Sequence, residues 1–326
     1  MHSKPAVLLI GAITAAATAG PVITSSAGGY GRGIARYVAG SVIQDLEELS
    51  FNFPTTEIGY QRAELSSSTA PAFGFAGGAG FGLSKPLDGK LSFSTGTRVQ
   101  TDNQQQFLGD ADGSAFYNDT FDVRSDTLAI GTVIDIVLRY SANTLDSTNH
   151  TVDTPGGQGF NDASNFGSLF LRARSDAPTD NLHQHSATYS RNRAGEVAAT
   201  GIFSQEFMSE DGDPNTHSGL QTYTLRAVVG STITFEAMLV GETTSRAQFT
   251  QEGNTGFCAT LLFGFDLEDA FLESRLVPGM DIPTGADVTR ERAILETPPG
   301  PEFVVPAPGS LALLGAAGLL ASRRRR

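Results

Sequence analysis

One cysteine, no tryptophan, five histidines and four methionines in 326 residues exclude several chemistries at once. A single thiol, Cys258, cannot close an internal disulfide, and no Cys-x-x-Cys pair is present to hold zinc or run dithiol exchange. Cys258 lies in the apolar stretch Gly256-Phe257-Cys258-Ala259-Thr260-Leu261-Leu262-Phe263. Free cysteine there behaves as a small core hydrophobe, so an inert buried thiol is expected. Charge is also scarce, 17% against the usual quarter. What charge there is has one sign: the formal net charge is −13. The first 19 residues hold one lysine and the last 18 hold four arginines, with no acid in either. Without both ends the body has 17 basic and 35 acidic residues, a net charge of −18. Such a body repels nucleic acid, which needs a positive footprint.

Strong helical periodicity is lacking too. Period-two alternation replaces it. Ile134, Ile136, Leu138 and Tyr140 alternate with Val133, Asp135, Val137 and Arg139. Tyr223, Leu225, Ala227 and Val229 do the same, and after Gly230-Ser231 so do Ile233, Phe235, Ala237 and Leu239. This is the pattern of half-buried strands. The run 257–265 is continuously apolar and suits a strand covered on both faces. Residues 34–49 could form an amphipathic helix, but Gly and Ser interruptions favour a strand pair. Ala76-Gly77-Gly78-Ala79-Gly80, Gly109-Asp110-Ala111-Asp112-Gly113, residues 154–158 and residues 209–214 read as turns from their Gly, Asn and Asp content. The resulting expectation is an all-β protein, a jelly-roll-like β-sandwich. A signal helix would precede it and a short hydrophobic helix would follow it.

The N-terminus has Lys4 followed by the apolar run 6–13 and a small-x-small site at Ala17-Thr18-Ala19. A second candidate site is Ser25-Ser26-Ala27. This is the order of a secretory signal peptide, spanning 1–27 with cleavage near 19 or 27. The body then runs 28–281 and a Pro-containing linker 282–305. At the C-terminus stand Pro306-Ala307-Pro308, a 14-residue apolar or small segment, and Arg323, Arg324, Arg325 and Arg326. Fourteen helical residues span about 21 Å, short of the ~30 Å hydrocarbon core. Arginines at such an end stay on the cytoplasmic side, so both ends place the body outside. The tail resembles that of bacterial PEP-CTERM proteins, with Ala307 where Glu is usual. The resemblance covers about the last 22 residues. It implies export, recognition and tail removal by an exosortase-like enzyme with transient membrane tethering. It also implies a destination at the cell surface or in an extracellular matrix, in association with exopolysaccharide.

Few residues suggest chemistry. His183 and His185 share a face if they lie on a strand, but two imidazoles need a third ligand to hold a metal; His150, His217 or an acid would have to supply it. Asp110-Ala111-Asp112-Gly113 resembles the opening of a calcium loop, yet the twelfth position is Phe121 rather than Glu. The sequence therefore gives weak candidates for a calcium or other metal site at Asp110, Asp112, His183 and His185, and no cofactor is expected. No Gly-x-Ser-x-Gly elbow or His-Glu-x-x-His helix occurs. The expectation is a non-catalytic exported surface protein. Its alternatives are a glycan-binding β-sandwich module and an extracellular hydrolase.

Overall fold

The computed structural model describes residues 25–39, 42–55, 61–69, 74–101, 106–146, 160–176, 181–192, 195–204, 216–248, 251–278 and 284–288. The proposed signal segment up to residue 24, the tail 306–326 and the acidic turns at 154–158 and 209–214 lie outside them. The described chain is built from two antiparallel sheets packed face to face, as the all-β expectation requires.

Among the described residues fourteen strands are divided between the sheets. They are β1 (Ser26–Ala39), β2 (Val42–Thr55), β3 (Gln61–Thr69), β4 (Gly74–Lys85), β5 (Lys90–Thr101), β6 (Gln106–Arg124) and β7 (Val133–Asp146). Then follow β8 (Phe160–Ser175), β9 (Leu182–Arg191), β10 (Val197–Ala199), β11 (Thr216–Val228), β12 (Thr232–Gln248), β13 (Gln251–Leu267) and β14 (Phe271–Ser274). One sheet has the order β10-β9-β8-β12-β6-β1-β2, with β14 also pairing β6. The other has the order β11-β7-β13-β5-β4-β3. The turn at Gly230-Ser231 joins two long strands that do not pair. β11 lies beside β7, whereas β12 lies between β6 and β8, so the turn carries the chain from one sheet to the other. Residues 34–39 fall in β1 and 42–49 in β2, which pair antiparallel from Ala27 opposite Thr55 to Ala39 opposite Val42. Among the described residues no helix is long and apolar enough to cross a membrane.

The two halves of the sandwich pack differently. Around β6, β12 and β13 the interior is aromatic. Phe235 and Phe263 have ring centroids 4.8 Å apart, Tyr117 stacks on Phe263 at 5.6 Å, and Phe121 meets Phe265 edge-on at 5.5 Å. Each ring fully removed from water stabilises the fold by about 1.5–3 kcal/mol. β13 is buried on both faces from Phe257 to Phe265, as its continuous apolar run predicts. Its inner face meets the aromatic core, and on its outer face Leu262 packs with Val288.

The other half is closed by glycine. Ala76–Gly80 and Gly109–Gly113 are not turns, contrary to expectation: both lie inside strands, β4 and β6. The reason is the close approach of the sheets. A Cβ placed on Gly78, Gly80 or Gly82 would collide with the carbonyl oxygens of Asp110, Asp112 and Ser114 on β6. One on Gly29, Gly31 or Gly33 of β1 would collide with Gly82, Gly80 and Gly78. Backbone rests on backbone there, far closer than the ~10 Å of ordinary stacked sheets. Glycine in these strands serves close approach rather than turning.

Candidate functional site

Strand parity sorts the polar residues. On β6 the odd positions from Phe107 to Val123 face inward and are buried, while Asp110 and Asp112 lie on the outer face. They are paired there, Arg36 Nη1 donating to Asp110 at 3.0 Å and Arg32 Nε donating to Asp112. Glu242 of β12 stands opposite Asp112 in register. Burial pushes its carboxyl above the ordinary carboxylate range, and the negative charges of Asp112 and Asp110 push it further. The expected calcium-type turn is thus a strand surface on which two carboxylates are engaged by guanidinium groups. Among the described residues no three His, Cys, Asp or Glu side chains form a set able to hold a metal ion.

His183 and His185 lie on β9 and, as the i, i+2 spacing predicts, share its inner face. They reach across the seam between the sheets. Tyr140 Oη on β7 and His183 Nε2 are hydrogen-bonded at 3.0 Å. The His183 ring stacks on Tyr223 of β11 with centroids 4.0 Å apart. The rings of Tyr140 and His185 are 5.5 Å apart. His185 Nε2 accepts a hydrogen bond of 3.2 Å from the backbone N–H of Ile202, in the short 3-10 helix Gly201–Ser204. Burial lowers the basicity of both imidazoles, and in His183 the neighbouring His185 adds to it. Burial likewise pushes the Tyr140 phenol up to about 12, so it remains a neutral hydroxyl. His217, a candidate third ligand, falls in β11, opposite Thr144 of β7.

Two carboxylates that sequence reading passed over are fully enclosed. Asp119 has no exposed surface. Its Oδ1 accepts from Ser25 Oγ at 2.7 Å, Thr120 N at 2.7 Å and Leu276 N at 3.0 Å. Its Oδ2 accepts from Tyr117 Oη at 2.8 Å and from Ser274 Oγ. Burial raises the Tyr117 phenol pKa, and the Asp119 charge beside it acts the same way. Asp146 is the other. Asn165 Nδ2 and Tyr189 Oη each donate to it at 2.8 Å, and Arg191 Nη1 lies at 3.5 Å. Both residues fall on the inward parity of their strands, after Ala115 and Tyr117 on β6 and after Ala142 and Thr144 on β7. Extending the alternation along each strand marks them as buried carboxylates in need of partners.

Cys258 is buried, with its thiol 3.9 Å from the Leu145 carbonyl, and burial pushes its pKa up to about 12. A thiol so far from its thiolate is a poor nucleophile, as its apolar setting predicts. The sorting residues Pro306, Ala307, Pro308 and Arg323 to Arg326 lie outside the described residues.

No family model matches the chain, and no curated protein matches it. Among solved structures the chain is similar to one described as "Structural basis for the promiscuous specificity of the carbohydrate-binding modules from the beta-sandwich super family". It is 8% identical, with 71% of this chain and 83% of that chain covered and a TM-score of 0.14. At that score the likeness carries no argument.

Proposed function

We propose that the chain is an exported, non-catalytic surface or extracellular-matrix protein. In this reading a jelly-roll body is delivered by the N-terminal signal segment, and an exosortase-like enzyme removes the tail beginning near Pro306. The observation that carries the non-catalytic part is the state of the chemically suggestive groups. Asp119 accepts five hydrogen bonds, Asp146 is enclosed by Asn165, Tyr189 and Arg191, and both imidazoles are tied into the seam. A hydrolytic acid or base needs open reach to a substrate proton, whereas these groups are spent on packing. The strand order supports the jelly-roll reading. β5-β13-β7-β11 faces β6-β12-β8-β9; within this core only β8 and β9 are both consecutive and paired, and the chain crosses between the sheets at β5-β6, β6-β7, β7-β8, β11-β12 and β12-β13. The hairpins β1-β2 and β3-β4 lengthen one sheet each beyond this core.

Mass spectrometry of the mature C-terminus tests the delivery route. A terminus between Pro306 and Gly309 in surface-localised protein is the expected result. An intact Arg326 there would overturn processing and favour a permanent anchor.

One observation favours glycan binding as a second reading. On the outer face of one sheet Phe170, Met238 and Phe116 stand in register across β8, β12 and β6, half-buried, with Ser186 of β9 continuing the row. The adjacent row holds Gln184, Arg172, Glu236 and Asn118, in which Arg172 Nη2 donates to Glu236 at 2.6 Å. A flat apolar row beside hydrogen-bonding groups suits stacking of sugar rings. On this reading a glycan array probed with the exported body gives binding that is lost in Phe116→Ala/Phe170→Ala with the fold retained. Binding unaffected by that pair, or no binding at all, would remove the reading.

A further inference from the structure

Where the two sheets meet at β9 and β11, the structure closes the seam with histidine rather than with an apolar side chain. Ile202 and Phe203 of the short helix Gly201–Ser204 are fully buried against the core. Ile202 is anchored through its own N–H to His185 Nε2. Among the described residues the elements packed against the two imidazoles present few groups able to compensate a positive charge. β7 offers the Tyr140 phenol and β11 offers Tyr223. β8 places Leu171 and Ala173 opposite His185 and His183. The short helix offers the buried Ile202 and Phe203 side chains, and its Ser204 hydroxyl donates to the Gly201 carbonyl. For His183 the neighbouring His185 further disfavours the charged form.

We propose that His185 is a proton-operated latch: neutral, it pins the helix Gly201–Ser204 into the seam, and protonated, it releases that helix and uncovers Ile202 and Phe203. The two histidines respond differently because their partners differ. The hydrogen bond of His183 runs to a hydroxyl, which can turn and accept from a protonated ring. Its stacking on Tyr223 then gains a cation–π component. The partner of His185 is a backbone N–H, which can only donate. For Nε2 to accept from it, the ring proton must sit on Nδ1. A proton arriving on Nε2 sets donor against donor, so the bond is lost rather than reversed.

The direction with pH follows from linkage. Burial lowers the proton affinity of the closed form below the ordinary histidine value of about 6.5. Above that pH both forms are neutral and the latch is fully closed. As pH falls below it, the open form takes up protons first. The open-to-closed ratio then rises roughly tenfold per pH unit until the closed form also protonates.

The test is hydrogen exchange of the full chain at pH 7.5 and 5.0, corrected for the intrinsic pH dependence of exchange and read at residues 201–204. His185→Gln retains an acceptor near the Nε2 position and cannot titrate. The wild type is expected to lose roughly tenfold or more of its protection at pH 5.0. His183→Gln is expected to lose it similarly, and His185→Gln to keep it within about twofold. Protection retained by the wild type at pH 5.0, or an equal loss in His185→Gln, overturns the latch. An NMR titration of the wild-type imidazoles gives a readout independent of either variant. A His185 midpoint clearly below 6.5 is expected, and one at or above 6.5 also overturns it.

Discussion

Gly80→Val is expected to destabilise the protein by about 3 kcal/mol or more, at or beyond the upper end of the usual range for overpacking. In most cores a new methyl group meets side chains that can change rotamer. At Gly80 it would meet the carbonyl oxygen of Asp112 and, 2.6 and 2.8 Å away, the backbone oxygen and nitrogen of Arg32. Neither strand can yield alone. β4 is paired on both sides by β3 and β5, and β6 by β1 and β12. The substitution must therefore part the sheets along the whole glycine seam, lifting β1 off β4 as well. A midpoint fall of roughly 10 °C follows for a body of this size, and differential scanning calorimetry measures it. Gly131→Ala is the control. Gly131 has φ of +94° but a Cβ there would meet nothing within 4 Å, so only local backbone strain of about 1 kcal/mol is expected. Equal losses at both positions would mean that backbone contact between the sheets is not what makes glycine necessary in β4.

The glycine seam also marks where sequence reading stops. Alternation at 133–140, 222–229 and 232–239 locates three strands because each pairs an apolar face with a polar one, a signal carried within eight residues. In β4 and at Gly109–Gly113 of β6 the inward positions are occupied by the smallest residues, so the alternation is between glycine and something larger. Glycine with aspartate reads as a turn. What makes these segments strands is the opposing sheet, far away in sequence. The histidines divide the same way. Their common face is set by i, i+2 spacing and is legible. Their partners Tyr140, Tyr223 and Ile202 are supplied by crossovers between the sheets that no local pattern encodes. Asp119 is the converse case. Its parity with Tyr117 and Phe121 was legible, and only the low expectation of a carboxylate in a core kept it out of view.

Asp119→Ala is expected to cost about 3–5 kcal/mol, the loss typical of removing one member of a buried charged network. Asp119→Asn is expected to cost much less. The five donors are of two kinds. Thr120 N and Leu276 N are backbone groups that both point at Oδ1 and cannot redirect. Alanine strands them in a buried site, at about 1–3 kcal/mol for each unsatisfied donor. Ser25, Tyr117 and Ser274 donate through hydroxyls, which rotate. An asparagine whose carbonyl takes the place of Oδ1 keeps both backbone bonds. Its amide then replaces Oδ2, where Tyr117 and Ser274 can turn from donating to accepting. The site also joins distant parts of the chain. Ser25 lies just before β1, Asp119 is on β6, and Ser274 and Leu276 end and follow β14, whose pairing with β6 covers only Phe271 to Ser274. Losing the carboxylate should therefore release residues 271–277 before the rest of the sandwich yields. Urea unfolding gives the global loss, and hydrogen exchange at Leu276 and Val277 gives the local one. If Asn proves as damaging as Ala, the negative charge rather than acceptor geometry holds this corner of the sandwich. If Ala leaves the exchange of 276 and 277 unchanged, Asp119 does not anchor the segment after β14.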